Sequence, residues 1–163
     1  MMRNLIALMI FSLPLCVAGC VKKVSPNSPP NIRGERLAIE RGKLNELSDP
    51  IARTKSYVVI TDIILTFIAD AATDEDHDSL RALLSEYAHT LATARDTVVN
   101  SGQGARRLRA YAELDTALRR QIRTLQTLKP KVSADDREPL DQAIQSASSI
   151  HEEIARVSSR SGM

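Results

Sequence analysis

Apolar residues recur every three or four positions through most of the chain after Gly34, and this spacing constrains the fold more than any other feature. Turn signals at Pro50, at residues 73–76, at residues 101–104 and at Pro130 divide the pattern into segments. A period near 3.6 places apolar side chains on one face of an α-helix. The sequence therefore predicts an all-α fold.

The turn signals set approximate bounds for five helices. A short first helix carries an apolar stripe of Leu37, Ile39, Leu44 and Leu47. The four longer helices are predicted over about 50–72, 73–100, 105–128 and, with a start at residue 136 or 139, up to residue 157. Short loops between helices favour antiparallel neighbours. We therefore expect an antiparallel up-down four-helix bundle preceded by a short N-terminal helix.

The second helix is the most apolar of the five. Its polar residues fall at spacings of three, four or seven and so share one stripe: Lys55, Asp62, Thr66, Asp70 and Thr73. The rest of its circumference is apolar, which predicts either the most buried helix or an apolar surface that contacts a partner. Because Asp62 belongs to the polar stripe, we expect it to be exposed rather than buried beside an arginine.

The first twenty residues have the zones of a secretory signal peptide. Arg3 supplies a positive charge, and residues 5–15 form an apolar run of eleven residues that contains Pro14. A membrane-spanning helix needs about 20 apolar residues, so this run is too short to span. It fits the apolar region of a signal peptide. An uncleaved membrane anchor and an ordinary secretory signal with a fortuitous cysteine are the alternatives.

The apolar run ends in Val17, Ala18, Gly19 and Cys20. These four residues resemble the lipobox of bacterial lipoprotein precursors, which has an aliphatic residue, a small residue, Gly or Ala, and then Cys. The resemblance implies cleavage after Gly19, diacylglycerol on the Cys20 thiol and, in most double-membraned bacteria, a further N-linked acyl chain. It covers residues 1–20 only and therefore bears on location, not on the mature fold.

The residues around Cys20 refine this expectation. Cys16 lies in the segment that cleavage would remove, so the exported domain would have neither a free thiol nor a disulfide. The covalent lipid on Cys20 is thus the one non-protein group we expect. Val21 stands where Asp would retain an enterobacterial lipoprotein in the inner membrane. We expect an anchor in the cell membrane or outer membrane, with the periplasmic side of the outer membrane favoured.

Three segments follow from these features: a signal peptide at 1–19, a lipidated cysteine with a tether at 20–33, and a helical domain at 34–163. Pro26, Pro29 and Pro30 disfavour helix within the tether. A proline-rich chain extends by about 3.1 Å per residue, so this tether would reach roughly 40 Å.

An acidic cluster precedes the third helix. Asp74, Asp76 and Asp78 match the first three ligand positions of an EF-hand calcium loop. The match then fails, because Ser79 replaces the glycine of the turn and Ser85 replaces the bidentate glutamate. Carboxylates at a helix N-terminus interact favourably with its macrodipole, by about 0.3–1 kcal/mol each. The pattern favours helix capping over a divalent-metal site.

The fourth helix carries a basic surface of Arg106, Arg107, Arg109, Arg119, Arg120 and Arg123. It predicts either an anionic partner, such as lipid headgroups, cell-wall polymer or an acidic protein face, or pairing with acids of the third helix that include Glu86 and Asp96. The net charge of only +2 favours pairing. Nucleic acid is disfavoured by the extracytoplasmic location and by the small number of aromatic residues.

The sequence contains no recognisable catalytic arrangement. His77, His89 and His151 are scattered, and Ala155 occupies the place of the second histidine in a zinc-protease helix that would begin at His151. We therefore expect no enzyme but a helical interaction or scaffolding module of the cell envelope, with an envelope protein as its partner. A binding protein for a fatty acid or a divalent cation is the alternative, and the sequence does not indicate an oligomeric state.

Overall fold

The structure, a computed structural model, describes residues 30–101 and 104–161. Within these ranges every regular element is helical and no β-strand occurs, so the all-α class is confirmed. The helices are α1 (Pro30–Glu46), α2 (Pro50–Thr73), α3 (His77–Val99), α4 (Ala105–Leu128) and α5 (Arg137–Ser161), with a 3₁₀ turn at Ala134–Asp136. The lipobox and Cys20 lie outside the described residues.

The start of α1 differs from the prediction. The helix begins at Pro30, so residues 30–33 belong to the domain and not to the tether. Proline is tolerated in the first turn of a helix because its missing N–H group would have no intrahelical acceptor there. The helix-disfavouring effect assigned to Pro30 from the sequence was therefore wrong at this position.

Side-chain caps fix the boundaries of α2 and α3. The Asp49 carboxylate accepts a hydrogen bond of 3.0 Å from the Ala52 amide, and Pro50 occupies the first turn of α2. The Asp76 carboxylate accepts one of 3.1 Å from the Ser79 amide. These contacts satisfy amide groups that have no acceptor within the first helical turn. The third helix therefore begins at His77, after a turn, instead of at residue 73.

Helix α2 lies at the centre of the packing. It contacts α1, α3 and α4, whereas α5 packs on α3 and α4. This position explains the breadth of the apolar surface of α2. Among the described helices, α2 alone is long and apolar enough to cross a membrane, and more than half of its apolar centre is buried inside the protein. The largest fully buried side chains of the core are Tyr87, Tyr111, Ile60, Ile64, Ile68, Leu80, Leu91, Leu114, Leu118, Leu125, Leu140 and Ile154.

Two ion pairs give the relative direction of α2 and α4. Lys55 Nζ lies 3.5 Å from Glu113 Oε1, and Arg120 Nη2 lies 2.5 Å from Asp62 Oδ2. Because the residue numbers increase together along both helices, α2 and α4 run parallel. They are neighbours in space although α3 separates them in the chain.

Helix α1 runs in the opposite direction to α2. Arg33 Nη2 lies 2.5 Å from Asp70 Oδ2, and the Ser56 hydroxyl donates a hydrogen bond of 3.1 Å to Glu40 Oε2. The start of α1 therefore lies beside the end of α2. We call the end of the domain that holds Pro30 and the last turns of α2 and α4 the proximal end. The distal end holds the first turns of α2 and α4.

Candidate interaction surfaces

The arginines of α4 fall into two groups. In the C-terminal half of the helix, Arg120 pairs with Asp62 of α2, and Arg119 Nη2 lies 2.9 Å from Asp115 Oδ2 within α4. Arg123 donates a hydrogen bond of 3.0 Å to the Arg119 carbonyl. Electrostatic contacts inside the fold thus engage this half of the predicted basic surface.

The N-terminal half of α4 carries the other arginines at the distal end. Arg107 donates hydrogen bonds of 3.2 and 2.9 Å to the Tyr111 hydroxyl and lies 5.3 Å from the centre of that ring. Arg109 is exposed at a groove of about 450 Å³ between α2 and α4, which Lys55 also lines. The side chain of Arg106 lies outside the described residues. The structure therefore does not gather the five arginines whose side chains it describes into one site.

The predicted partners of these arginines were wrong. Glu86 pairs with Arg41 of α1, and Asp96 pairs with Arg95 of its own helix at 2.6 Å. The reason is the packing order, because α4 packs mainly on α2 and α5 and touches α3 much less. Pairing within the fold does occur for Arg120, but with an acid of α2 that the sequence placed on an exposed stripe.

Asp62 has features of both positions considered from the sequence, exposure on the polar stripe and burial beside an arginine. Its side chain is half-buried between α2 and α4, whereas its membership of the polar stripe predicted an exposed position. It also has the arginine partner that we had assigned to the buried alternative. Gln121 adds a hydrogen bond of 2.8 Å from its Nε2 to Asp62 Oδ1.

Gln121 belongs to a buried polar network that the sequence did not reveal. The Tyr87 hydroxyl donates to Gln121 Oε1 at 3.2 Å, and Gln121 Nε2 donates to the Thr61 hydroxyl at 2.8 Å. Burial, followed by the nearby charge of Asp62, raises the pKa of Tyr87. The network joins α2, α3 and α4, and its polar groups are satisfied only when these helices keep this register.

The acidic residues predicted as a possible metal site lie in the turn between α2 and α3. Asp74 is the C-cap residue of α2, and Asp76 is the N-cap residue of α3. Hydrogen bonds from Ser79 lower the pKa of Asp76. Asp78 lies exposed in the first turn of α3. In the part of the chain that the structure describes, no three His, Cys, Asp or Glu side chains are grouped to hold a metal ion.

A buried carboxylate at the proximal end was missed from the sequence. Asp136 is only 1% exposed, and its oxygens lie 2.5 Å from His77 Nδ1, 3.1 Å from Arg81 Nε and 2.7 Å from the Ser133 hydroxyl. Burial favours the neutral form, but the hydrogen bonds from Ser133, His77 and Arg81 outweigh it, and the pKa of Asp136 lies below its ordinary value. Ser133 donates to Asp136 and not to His77, so the three residues lack the order of a nucleophilic triad. They join the start of α5 to the start of α3.

The other two histidines lie far from this cluster. His151 Nδ1 of α5 lies 2.8 Å from Asp115 Oδ1 of α4, and both side chains are largely buried. His89 is exposed on α3. The scattering predicted from the sequence is therefore observed. The exposed His77 and the partly buried His151 each lie beside a carboxylate at a helix–helix contact.

The contact between α1 and α2, which we call the α1 seam, is buried but charged. Arg33 is 4% and Glu40 is 3% exposed. The Arg33 guanidinium pairs with Asp70 and lies 5.3 Å from the centre of the Phe67 ring. Besides the Ser56 hydroxyl, Glu40 has two cationic partners, Arg36 at 3.1 Å and Lys43 at 2.8 Å.

The apolar stripe predicted for α1 is only partly correct. Leu37 and Leu44 pack against the core, whereas Ile39 is 55% exposed. A signal for the charged seam was present, because Arg33 and Glu40 follow the spacing of Leu37 and Leu44 and therefore share their face. Arg33 was missed because it fell within the predicted tether, and Glu40 because its charge is typical of an exposed residue.

Two shallow grooves lie on the surface of the described residues, and both open to solvent. The larger, about 520 Å³, lies between α3 and α5 and is lined by Ala88, Ala92, Arg95, Gln142, Gln145, Ser146, Ser149 and Ile150. The clusters around Asp136, Asp115 and Glu40 lie at helix–helix contacts and do not line either groove. Comparison with known protein families, curated proteins and solved structures finds no match to this chain.

Proposed function

We propose that this chain is a lipid-anchored lipoprotein of the bacterial cell envelope whose helical domain is a non-catalytic interaction or scaffolding module. The single observation that carries the proposal is the sequence Val17-Ala18-Gly19-Cys20 directly after an apolar run of eleven residues. The covalent lipid on Cys20 is its non-protein group. Two or three acyl chains would make attachment effectively permanent, because each buried CH₂ adds about 0.8 kcal/mol.

We further propose that α2 to α5 form an up-down four-helix bundle whose helices alternate in direction along the chain. The short turn between α2 and α3 and the parallel ion pairs between α2 and α4 support this arrangement. The α4–α5 pairs support it as well, because Lys129 lies 2.6 Å from Asp141 while Asp115 lies beside His151, an antiparallel pattern.

The interaction role is supported by how the ionisable side chains are used. The buried carboxylates Asp136 and Glu40 hold helices together and line neither of the two grooves described above. At the distal end, by contrast, Arg109 and Leu108 are exposed side by side on α4. We propose this part of α4 as the contact surface for an acidic face of an envelope protein.

The anchor is tested by the mass of the mature protein extracted from native membranes. The proposal predicts that the first residue is Cys20 and that it carries diacylglycerol and an amide-linked acyl chain. A Cys20→Ala variant should accumulate as an unlipidated precursor with altered partitioning into detergent. A native chain that begins at another residue, or a native Cys20 without lipid, would overturn the proposal.

The location is tested by membrane fractionation in a double-membraned host. We expect the native protein in the outer membrane fraction. A Val21→Asp variant should move to the inner membrane fraction if the sorting rule of enterobacteria applies to this chain. Recovery of the native protein in the inner membrane fraction would contradict the outer-membrane assignment while leaving the lipid anchor intact. Equal distribution of the two proteins in the outer membrane would contradict only the use of the sorting rule.

The partner surface is tested by in-cell photo-crosslinking. A crosslinking residue at position 109 should capture a specific envelope protein. The same residue at Glu138, which is exposed near the proximal end, is the matched control. Capture of the same generic neighbours from both positions would contradict a contact surface on α4.

A further inference from the structure

Two exposed isoleucines lie on one flank of α1. Ile32 is 48% exposed and Ile39 is 55% exposed, and Leu108 is the one other large apolar side chain exposed in the described ranges. Because Ile32 and Ile39 are seven residues apart, both project from the same side of α1. Each immediately precedes a buried seam residue, Arg33 or Glu40, so the flank is turned by about 100° from the α2 contact.

Helix α1 is also the described element nearest in the chain to the proposed anchor. Ten residue steps separate Cys20 from Pro30. An extended chain spans at most about 3.6 Å per residue, so Pro30 lies within roughly 36 Å of the lipidated residue. A short tether gives an effective concentration in the millimolar range. Contacts that are too weak to hold a free protein at a membrane are therefore populated in an anchored one.

The charges near Pro30 distinguish two ways of contacting a bilayer. The proximal end presents the acidic turn at residues 74–78, which anionic headgroups would repel. The flank carries charges of both signs. Glu35 and Glu46 lie on it together with Arg36 and Lys43, whose cationic groups also contact Glu40. Contact along the side of α1 is thus electrostatically better than contact through the end of the domain.

We propose that, once the chain is anchored, the flank of α1 that carries Ile32 and Ile39 lies against the headgroup region of the bilayer that holds the lipid of Cys20. This inference rests on the proposed lipid anchor. Helix α1 stays docked on α2 through the seam. The contact gives the anchored domain a defined orientation, with the long axis of α1 along the membrane surface.

The absence of tryptophan from the chain allows a direct test. An Ile39→Trp variant of the full lipidated protein is reconstituted in vesicles of phosphatidylethanolamine and phosphatidylglycerol. Its fluorescence is compared with that of the same variant expressed without residues 1–20 and kept in solution, because a Cys20→Ala chain would retain its signal peptide. We expect a blue-shifted emission and roughly a twofold decrease in acrylamide quenching upon anchoring, because the flank enters the interface. A Leu108→Trp variant, which reports on an exposed position at the distal end, should show neither change.

Equal quenching of the Ile39→Trp variant with and without the anchor would overturn the proposal. Protection that rises with protein density in the vesicles would also overturn it, because a second copy of the chain would then cover the flank. Failure of the anchor itself is read separately, by mass and by flotation with vesicles. If the native chain proves to have no lipid, the mature Ile39→Trp chain is coupled through the Cys20 thiol to a maleimide lipid. The proposal then requires the same decrease in acrylamide quenching for this artificially anchored chain. Matching melting curves for both tryptophan variants exclude a folding defect.

Discussion

The α1 seam and the core among α2 to α5 are buried to a similar degree by different chemistry. Arg33 and Glu40 are almost inaccessible in the seam, where each has an ionic partner. Leu114 and Ile64 are equally inaccessible in the core, where their neighbours are apolar. Burial in this protein is therefore not a measure of apolar character.

The two regions differ in what burial contributes to stability. Apolar burial stabilises by about 25 cal/mol per Å². A buried ion pair recovers little more than the cost of removing its charges from water, although losing one partner is strongly destabilising. The comparison teaches that α1 is positioned accurately but held weakly, whereas α2 to α5 supply the stability of the domain. A weakly held first helix beside the tether can open without unfolding the rest.

The largest effect is expected from truncation in the core. Leu114→Ala should lower the free energy of unfolding of the whole domain by about 3 kcal/mol, because it removes apolar contacts and leaves a cavity. Chemical denaturation measures this loss. The exposed Leu108 of the same helix provides the control, and Leu108→Ala should change the value by less than about 0.5 kcal/mol. Equal losses for both variants would contradict the placement of the core.

A smaller, local effect is expected in the seam. Glu40→Gln removes the charge that Arg36 and Lys43 share, and loss of a buried partner costs about 3 kcal/mol. Detachment of α1 limits how much of this loss reaches the rest of the domain. We expect faster proteolysis within α1 and an almost unchanged denaturation midpoint for α2 to α5. Glu35→Gln, an exposed substitution on the same helix, should alter neither. Loss of the whole fold in Glu40→Gln would show that the seam is part of the core.

Acid should lower the stability of the domain through Asp136, which joins the start of α5 to the start of α3. We expect this effect to be smaller than that of Glu40→Gln. The pKa of this carboxyl lies below its ordinary value in the folded protein. Its stabilising contribution is therefore complete above the ordinary pKa and is lost as the pH falls through the folded pKa. Asp136→Asn should lower the melting temperature at neutral pH and lose less than the native protein upon acidification. Melting curves between neutral and acidic pH measure the difference. Parallel curves for the two proteins would contradict an ionised Asp136.

The sequence predicts the helices well, because local spacing and caps determine them. The bounds of α4 match the prediction, and residues such as Leu84, Leu91 and Leu118 lie in the core as their stripes require. Helix periodicity carries this information within a single segment.

The side-chain contacts between different helices could not be predicted from the sequence in the same way. The partners of Arg120 and Asp136 depend on which helices are neighbours, and a one-dimensional pattern does not contain that order. The charged face of α1 was missed for two other reasons. Arg33 lay in the predicted tether, and Glu40 has the spacing of a core residue but the charge of a surface one. Only their partners, Asp70 and Ser56, explain why they are buried.

Native-state hydrogen exchange tests the difference between seam and core most directly. The account predicts that the amides of α1 exchange through a local opening with a lower free energy than the amides in the centres of α2 to α5, and that Glu40→Gln lowers the value for α1 alone. If the amides of α1 exchange only with the global unfolding of the domain, in both the native protein and the variant, then the seam is not a separately held contact and the account is contradicted.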